Sequence, residues 1–223
     1  MYKIQVVTPK SPEYGEKLRQ EMIGLLSHAY RYPEKVIDKR FFQLDKIFLL
    51  RKENSLLGFC CYVLIDLPIP QKTIPTVFLG IMAASPGIQN TGLVLKTMDC
   101  MVQELRDTNP NPAIPRLIWA TTASPSSLAI FRKYFRNVSP DANNCLRPEH
   151  SEYENAMRVF LLQGKTDPGA PPMVVKKVTP LSAYSLQENN RIRVILSKHP
   201  DNIFQQSGID ETQGDRLIMI GEL

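Results

Sequence analysis

The residues best placed to do chemistry form a short polar run, Gln89-Asn90-Thr91-Gly92, between two apolar stretches of different period. Upstream, Val77 to Ala84 is continuously apolar, too short to span a bilayer, and reads as a buried strand. Ser85-Pro86-Gly87 stops it, because proline cannot donate to a ladder and glycine tolerates unusual dihedrals. Downstream, Leu93, Val94, Met98, Met101, Val102 and Leu105 recur on one helical face. A strand, a tight polar turn and a helix leave backbone N–H groups unpaired at the helix start. Those groups and the helix dipole favour an anion, most often a phosphate.

Groups able to move a proton are dispersed. His28 falls near the end of the first predicted helix, and its pKa class suits base work. Asp66 follows a predicted strand, and His150 and His199 show no metal spacing. Asp66 also reads as an ordinary solvated carboxylate and His28 as a surface or structural histidine. Cys60, Cys61, Cys100 and Cys145 have neither disulfide-framework nor metal spacing and read as reduced thiols, with Cys60 and Cys61 on opposite faces of a strand. No nucleophile elbow, Walker-type loop or His-Glu-x-x-His motif is present.

The elements that must hold the polar run follow from periodicity. Tyr2 to Val7 is a first strand, and Ser11 is placed to cap a helix starting near Pro12 with Leu18, Met22, Leu25, Leu26 and Ala29 inward. Pro33 to Asp38 is a short helix, Lys46 to Arg51 a strand, Lys52 to Ser55 a hairpin turn and Leu56 to Leu67 the next strand. Asp66 to Pro75 reads as a proline-rich connection. The helix after Gly92 fades at Asp107 to Pro110. Arg116 to Thr121 is a fifth strand, parallel to the fourth across a helical crossover, and Ser126 to Phe135 a further helix. Glu152 to Leu162 fits helix and strand alike. Thr166 to Pro172 is a turn-rich break, and Met173 to Val178, Arg191 to Leu196 and Arg216 to Gly221 read as strands.

Pro86 to Val94 resembles the acyl-CoA-binding segment of the GNAT acyltransferase superfamily, Gln/Arg-x-x-Gly-x-Gly/Ala, with Gln89 and Gly92 on its first and fourth positions and Val94 in place of the usual Gly or Ala. Ser124 to Tyr134 resembles the family's second signature, with Ser124 for Asn, Phe131 for the Tyr that protonates the departing thiolate, and Lys133 on the Lys position. The order of elements over residues 2–136 matches too. The resemblance implies an α/β (α+β) fold with a mixed central sheet, splayed parallel fourth and fifth strands and helices on both faces. It implies one domain over 1–223, with a core over 2–136 and an elaborated part over 137–223, closed by an antiparallel pair for which Arg191 to Leu196 and Arg216 to Gly221 are the candidates.

By the same resemblance the pantetheine arm of acetyl-CoA or another acyl-CoA would pair with Ile81, Met82 and Ala83. The diphosphate would meet the N–H groups of Gln89, Asn90, Thr91, Gly92, Leu93 and Val94, with Ser124 nearby. Tyr134 is the candidate acid, and no metal is called for. The fourth strand carries no acidic residue for a base. The activity implied is N-acyl transfer by direct attack of an amine. The alternatives are a catalytically silent member of the fold and an acyltransferase served by an acyl-carrier protein. The acceptor amine is left open, as is a homodimer.

Composition sets the frame. Of 223 residues 43% are hydrophobic and 22% charged, which suits a folded globular chain. The net charge of +5 suits an anionic ligand, but no basic run is interleaved with aromatics, so nucleic acid is not expected as a partner. Neither a signal-like apolar start nor a bilayer-length stretch is present, so a membrane is not expected and the default address is the cytoplasm.

Overall fold

The computed structural model describes the chain except residues 39–40, 90, 110–115, 166, 168, 179–182 and 199–201. Asn90, His199 and the proline cluster at 110–115 therefore lie outside the described residues.

Strand β1 (Tyr2–Val7) leads to helices α1 (Glu16–Leu26) and α2 (Pro33–Asp38), then to strands β2 (Lys46–Lys52), β3 (Ser55–Ile69) and β4 (Lys72–Ala84). Helix α3 (Leu95–Asp107) crosses to β5 (Leu117–Thr122), followed by α4 (Pro125–Tyr134) and β6 (Arg136–Ser139). The remainder comprises α5 (Ser151–Leu161), β7 (Val174–Val175), α6 (Leu186–Ser197), α7 (Ile203–Gln206) and β8 (Arg216–Glu222). Among the described residues the strands form one sheet in the order β1-β2-β3-β4-β5-β8-β6, with β7 also on β8. The β4–β5 pair is parallel and the others are antiparallel.

Side-chain alternation sends residues to two cores. Phe48, Cys60, Val77 and Ile118 face α3 and α4. Ile47, Leu49, Phe59 and Cys61 face α1 and α2, while Phe78, Trp119 and Ile220 face α5 on that same side. Cys60 and Cys61 thus point to opposite faces, and both are free thiols.

Four segments differ from the sequence reading. Ser11 does not cap α1: its hydroxyl accepts from Thr8 N at 3.0 Å in a separate turn, and the helix starts at Glu16 after an extended Gly15. Asp66 to Pro75 is not a connection but the arm of a long hairpin, with Asp66 opposite Pro75 and Pro68 opposite Thr73. This arm projects past β2, whose pairing stops at Tyr62, and past β5, whose pairing starts at Thr76, so its outer edges are free and proline is tolerated there.

Arg191 to Leu196 is not a strand but part of α6, capped by Ser185, whose hydroxyl accepts from Glu188 N at 3.2 Å. The closing pair is therefore not the expected one: β8 lies between β5 and β6. The expected strand at Met173 to Val178 shortens to Val174–Val175, and the ambiguous Glu152 to Leu162 segment is helical.

One buried histidine gives a pH signature. His150 is 1% exposed, its Nδ1 lies 2.8 Å from Ser139 Oγ, and its Nε2 has no hydrogen-bond partner. Burial holds its pKa below the usual histidine range, against the pull of Glu149 and Glu222 and with a small push from Arg147. Above about pH 6.5 the ring is neutral whether the chain is folded or not. As pH falls from there towards the lowered folded value, the unfolded chain binds the proton first, so stability is lost. Urea unfolding at pH 7.5 and 5.5 should show the loss in the wild type and a flatter response in His150→Gln.

Candidate functional site

The site begins as a defect in the sheet. From Ile69↔Lys72 to Tyr62↔Leu79 the long hairpin is in register, but Cys60 then faces Met82, so Gly80 and Ile81 stand opposite Cys61 alone. Such a β-bulge bends and twists its strand. The Cys61 thiol fills the bulge, with Sγ 3.3 Å from both Ile81 N and Ile81 O. A Cβ on Gly80 would sit 2.8 Å from that sulfur, so the close approach requires glycine.

The parallel strands part at this bulge. β5 pairs with β4 from Thr76↔Leu117 to Leu79↔Ala120, and beyond that it stays with β8 as far as Thr122. Among the described residues no strand pairs with β4 from Gly80 to Ala84 on the side that faces β5. A cavity of about 130 Å³ occupies the gap. Cys60, Met98, Met101 and Phe131 line it from the α3/α4 side, and Tyr30, Val36, Cys61 and Ile81 from the α1/α2 side.

The polar run follows directly. Pro86–Ile88 is a single 3-10 turn, and Gly92 has φ +75°, a left-handed conformation that a side chain would strain. Within the turn, Gln89 N and Thr91 N donate to Pro86 O and Ile88 O at 3.3 Å, and Leu93 N donates to Thr91 Oγ1 at 3.3 Å. The N–H groups of Gly92 and Val94 have no protein partner among the described residues, which is fewer free donors than the sequence spacing implies. Val94, N-cap of α3, packs its side chain towards β3, where a Cβ on Gly58 would lie 3.2 Å from Val94 Cγ2. The missing Cβ of Gly58 makes the room, so the Val94 side chain is turned away from the exposed Gln89 and Gly92.

The far wall comes from the C-terminal third. Tyr184 bridges to Tyr30 as an isolated β-bridge, with Arg31 N donating to Ala183 O at 3.0 Å and Ser185 N to Ala29 O at 2.7 Å. The two rings lie 5.2 Å apart, and the Arg216 guanidinium stands 5.5 Å over the Tyr184 ring. Glu211 Oε1 accepts from Tyr184 N at 2.5 Å and is 3.7 Å from Arg216, while Glu211 Oε2 is buried without a partner. Burial pushes the Tyr184 phenol up, opposed by Arg216 and by a hydrogen bond with Thr122. Tyr30, Thr122, Tyr184 and Arg216 all line the cavity.

No family model matches the sequence, and no curated protein matches it in sequence. Among solved structures, the chain is similar to a GNAT family acetyltransferase from Elizabethkingia anophelis with acetyl-CoA bound, at 13% identity over 100% of this chain and 98% of that one, with a TM-score of 0.49. It is similar to the IAA acetyltransferase of Bacillus cereus at 13% identity over the whole of both chains, with a TM-score of 0.45. It is also similar, over 58% of its own length, to a conserved Enterococcus faecalis protein of which it spans 31%, with 13% identity and a TM-score of 0.44. The mixed sheet, parted along its parallel β4–β5 pair with helices on both faces, gives the fold its type.

The fold is α/β with a mixed central sheet.

Within this frame the sequence-derived residues separate. Ile81 and Met82 line the cavity, and Ala83 packs beside it. Ser124 is buried as the N-cap of α4, its N–H donating to Thr122 Oγ1 at 2.9 Å, and Ser127, one turn on, lines the cavity instead. Tyr134 donates to Asp99 Oδ1 at 2.7 Å, also approaching Leu95 O, so its phenol is held against α3 and not turned into the cavity. Its phenol is pushed up by burial and by that carboxylate. His28 and Asp66 are exposed and line no part of the cavity, Asp66 being far out on the hairpin arm. The sequence reading gives Tyr184 and Arg216 no site role, because Tyr184 reaches the cleft through contacts across some 150 residues of chain.

Proposed function

We propose that this chain is an acyl-CoA-dependent N-acyltransferase that moves an acyl group from a CoA thioester to an amine. The observation that carries the reading is the free β4 edge from Gly80 to Ala84. Main-chain donors and acceptors without a neighbouring strand suit an extended, amide-bearing arm such as pantetheine, which adds to a sheet as another strand would. The Gly92 turn follows that edge by a few residues, and the N–H groups of Gly92 and Val94, which meet no partner among the described residues, suit a diphosphate oxygen. The inward turn of Val94 leaves that approach open.

In this reading the amine nitrogen attacks the thioester carbonyl, the C–S bond breaks, sulfur leaves as thiolate and the amine loses a proton. Tyr184, a neutral phenol on the cavity wall, is the donor available to the carbonyl oxygen as charge develops there. Removing one such donor typically costs 10²–10³ in rate. Tyr184→Phe is therefore expected to lower kcat about a hundredfold with the acyl-CoA affinity little changed, read by thiol release. The described residues lining the cavity include neither carboxylate nor histidine, so the amine proton leaves through water. That same feature favours a second reading, a catalytically silent CoA-binding protein.

Isothermal titration with acetyl-CoA, followed by thiol release over an amine panel, separates the readings. Heat with turnover supports the enzyme, heat without turnover for any amine supports the silent binder, and no heat with any CoA species overturns both. Gly92→Val should weaken CoA binding about tenfold or more, because a β-branched residue resists the left-handed conformation that aims the turn.

A further inference from the structure

Glu211 is a carboxylate with only one of its two oxygens in use. The turn that carries it is firmly held. Asp210 caps it by accepting from Thr212 N at 2.9 Å, and Gly214 closes it with φ +85°. The Asp215 carboxylate then accepts from Asp210 N and Lys177 N, both at 3.0 Å, and from Lys176 Nζ at 2.8 Å. This turn places the Glu211 side chain, 11% exposed, against two residues of the cavity wall, Tyr184 and Arg216. Oε1 takes the Tyr184 N–H, while Oε2 is buried and accepts from nothing. A neutral amide would serve the Tyr184 tether at a lower desolvation cost than a carboxylate does. A buried orphan oxygen of this kind points to a catalytic group or a bound water.

Resting on the acyl-transfer reading above, we propose that Glu211 receives the proton of the attacking amine through one bound water that donates to Oε2. That transfer needs a proton acceptor, and none of the described residues lining the cavity is a carboxylate or a histidine. The water gives a proton to Oε2 as it takes one from the ammonium nitrogen, so an N–H bond breaks and an O–H bond forms on the carboxyl. The neutral amine then attacks the thioester carbonyl. The first proton passes from Glu211 to bulk water after turnover, and the second, lost as the amide forms, ends on the departing thiolate. The ionisable groups that face Glu211 are Tyr184 and Arg216. The other carboxylates of this region are engaged: Glu188 of α6 with Arg191 at 2.5 Å, Asp215 with Lys176, and Asp210 with Thr212. Among the described residues Glu211 is the carboxylate with a buried oxygen to spare.

The test compares the wild type with Glu211→Gln, which keeps an acceptor for Tyr184 N and loses the basic oxygen. Thiol release from acetyl-CoA is followed at saturating amine, with the uncatalysed rate subtracted. The two amines are an alkylamine and methoxyamine, which is largely unprotonated at neutral pH. In Glu211→Gln, kcat for the alkylamine is expected to fall about a hundredfold or more at neutral pH. The deficit should close as pH rises towards the amine's own pKa, and the methoxyamine rate should fall far less, with CoA affinity by calorimetry unchanged. A purely structural role lowers both rates alike at every pH. Equal losses, or no loss, in a folded Glu211→Gln protein overturn the proposal and leave the enzyme reading standing. Should that variant fail to fold, Glu211→Asp, which keeps the charge but withdraws it by one methylene, is read in the same way. A wild type that binds acetyl-CoA yet acylates no amine overturns the proposal together with the enzyme reading.

Discussion

Gly80→Val is expected to reduce CoA affinity at least a hundredfold and to destabilise the fold by about 1–3 kcal/mol. Its Cβ would fall 2.8 Å from Cys61 Sγ and 3.3 Å from Cys61 O, one a buried side chain filling the bulge and the other rigid backbone. The strand cannot absorb the clash without straightening the bulge that parts β4 from β5, and with it goes the free edge. The pair has a built-in control. Gly80→Ala alone should show a milder form of the defect, and Gly80→Ala combined with Cys61→Ala, which removes the sulfur, should recover most of the affinity. Calorimetry and urea unfolding read both quantities. Normal CoA binding by a folded Gly80→Val protein would remove the bulge from the account of the site.

Glu154→Leu is expected to cost about 3–5 kcal/mol, because it leaves the buried Arg158 guanidinium without its carboxylate. Glu154 pairs with Arg158 one turn on and accepts from Met173 N at 2.8 Å, while Arg158 donates to Val174 O and, at 3.1 Å, to Pro171 O. This knot ties α5 to the segment that leads into β7. Met173 O in turn accepts from Ile218 N at 2.7 Å, so the knot also supports β8, which carries Arg216 and Met219 into the cavity. The urea midpoint should fall sharply, and CoA affinity should fall with it. Replacing both partners, Glu154→Leu with Arg158→Met, should recover most of the stability, since a well-packed apolar pair of similar volume is often no worse than a buried ion pair.

What local sequence carries is visible in the elements it specified. Val77 to Ala84 is a strand, the break at Ser85 to Gly87 falls where it should, α3 buries Met98, Met101, Val102 and Leu105, and β5 runs parallel to β4. These features rest on short-range causes: apolar period, the missing N–H of proline, the φ freedom of Gly92. Arg191 to Leu196 is helical despite its β-branched residues, and the Ser185-x-x-Glu188 capping pattern is the local signal for that helix. In the hairpin arm Pro68, Pro70 and Pro75 signal a loop unless neither sheet edge there is paired, and that is set by the lengths of other strands.

The sequence by itself determined the strand–turn–helix around Gly92, since every residue that shapes it lies within one short stretch. Tertiary structure alone decided three further things. Cys61 fills a bulge and thereby opens the sheet, Gly58 makes room for Val94, and Tyr184 and Arg216 arrive from the distant C-terminal third to close the cleft. Each depends on which backbone lies across from which, and that is fixed by packing between segments far apart in the chain, which no local periodicity encodes.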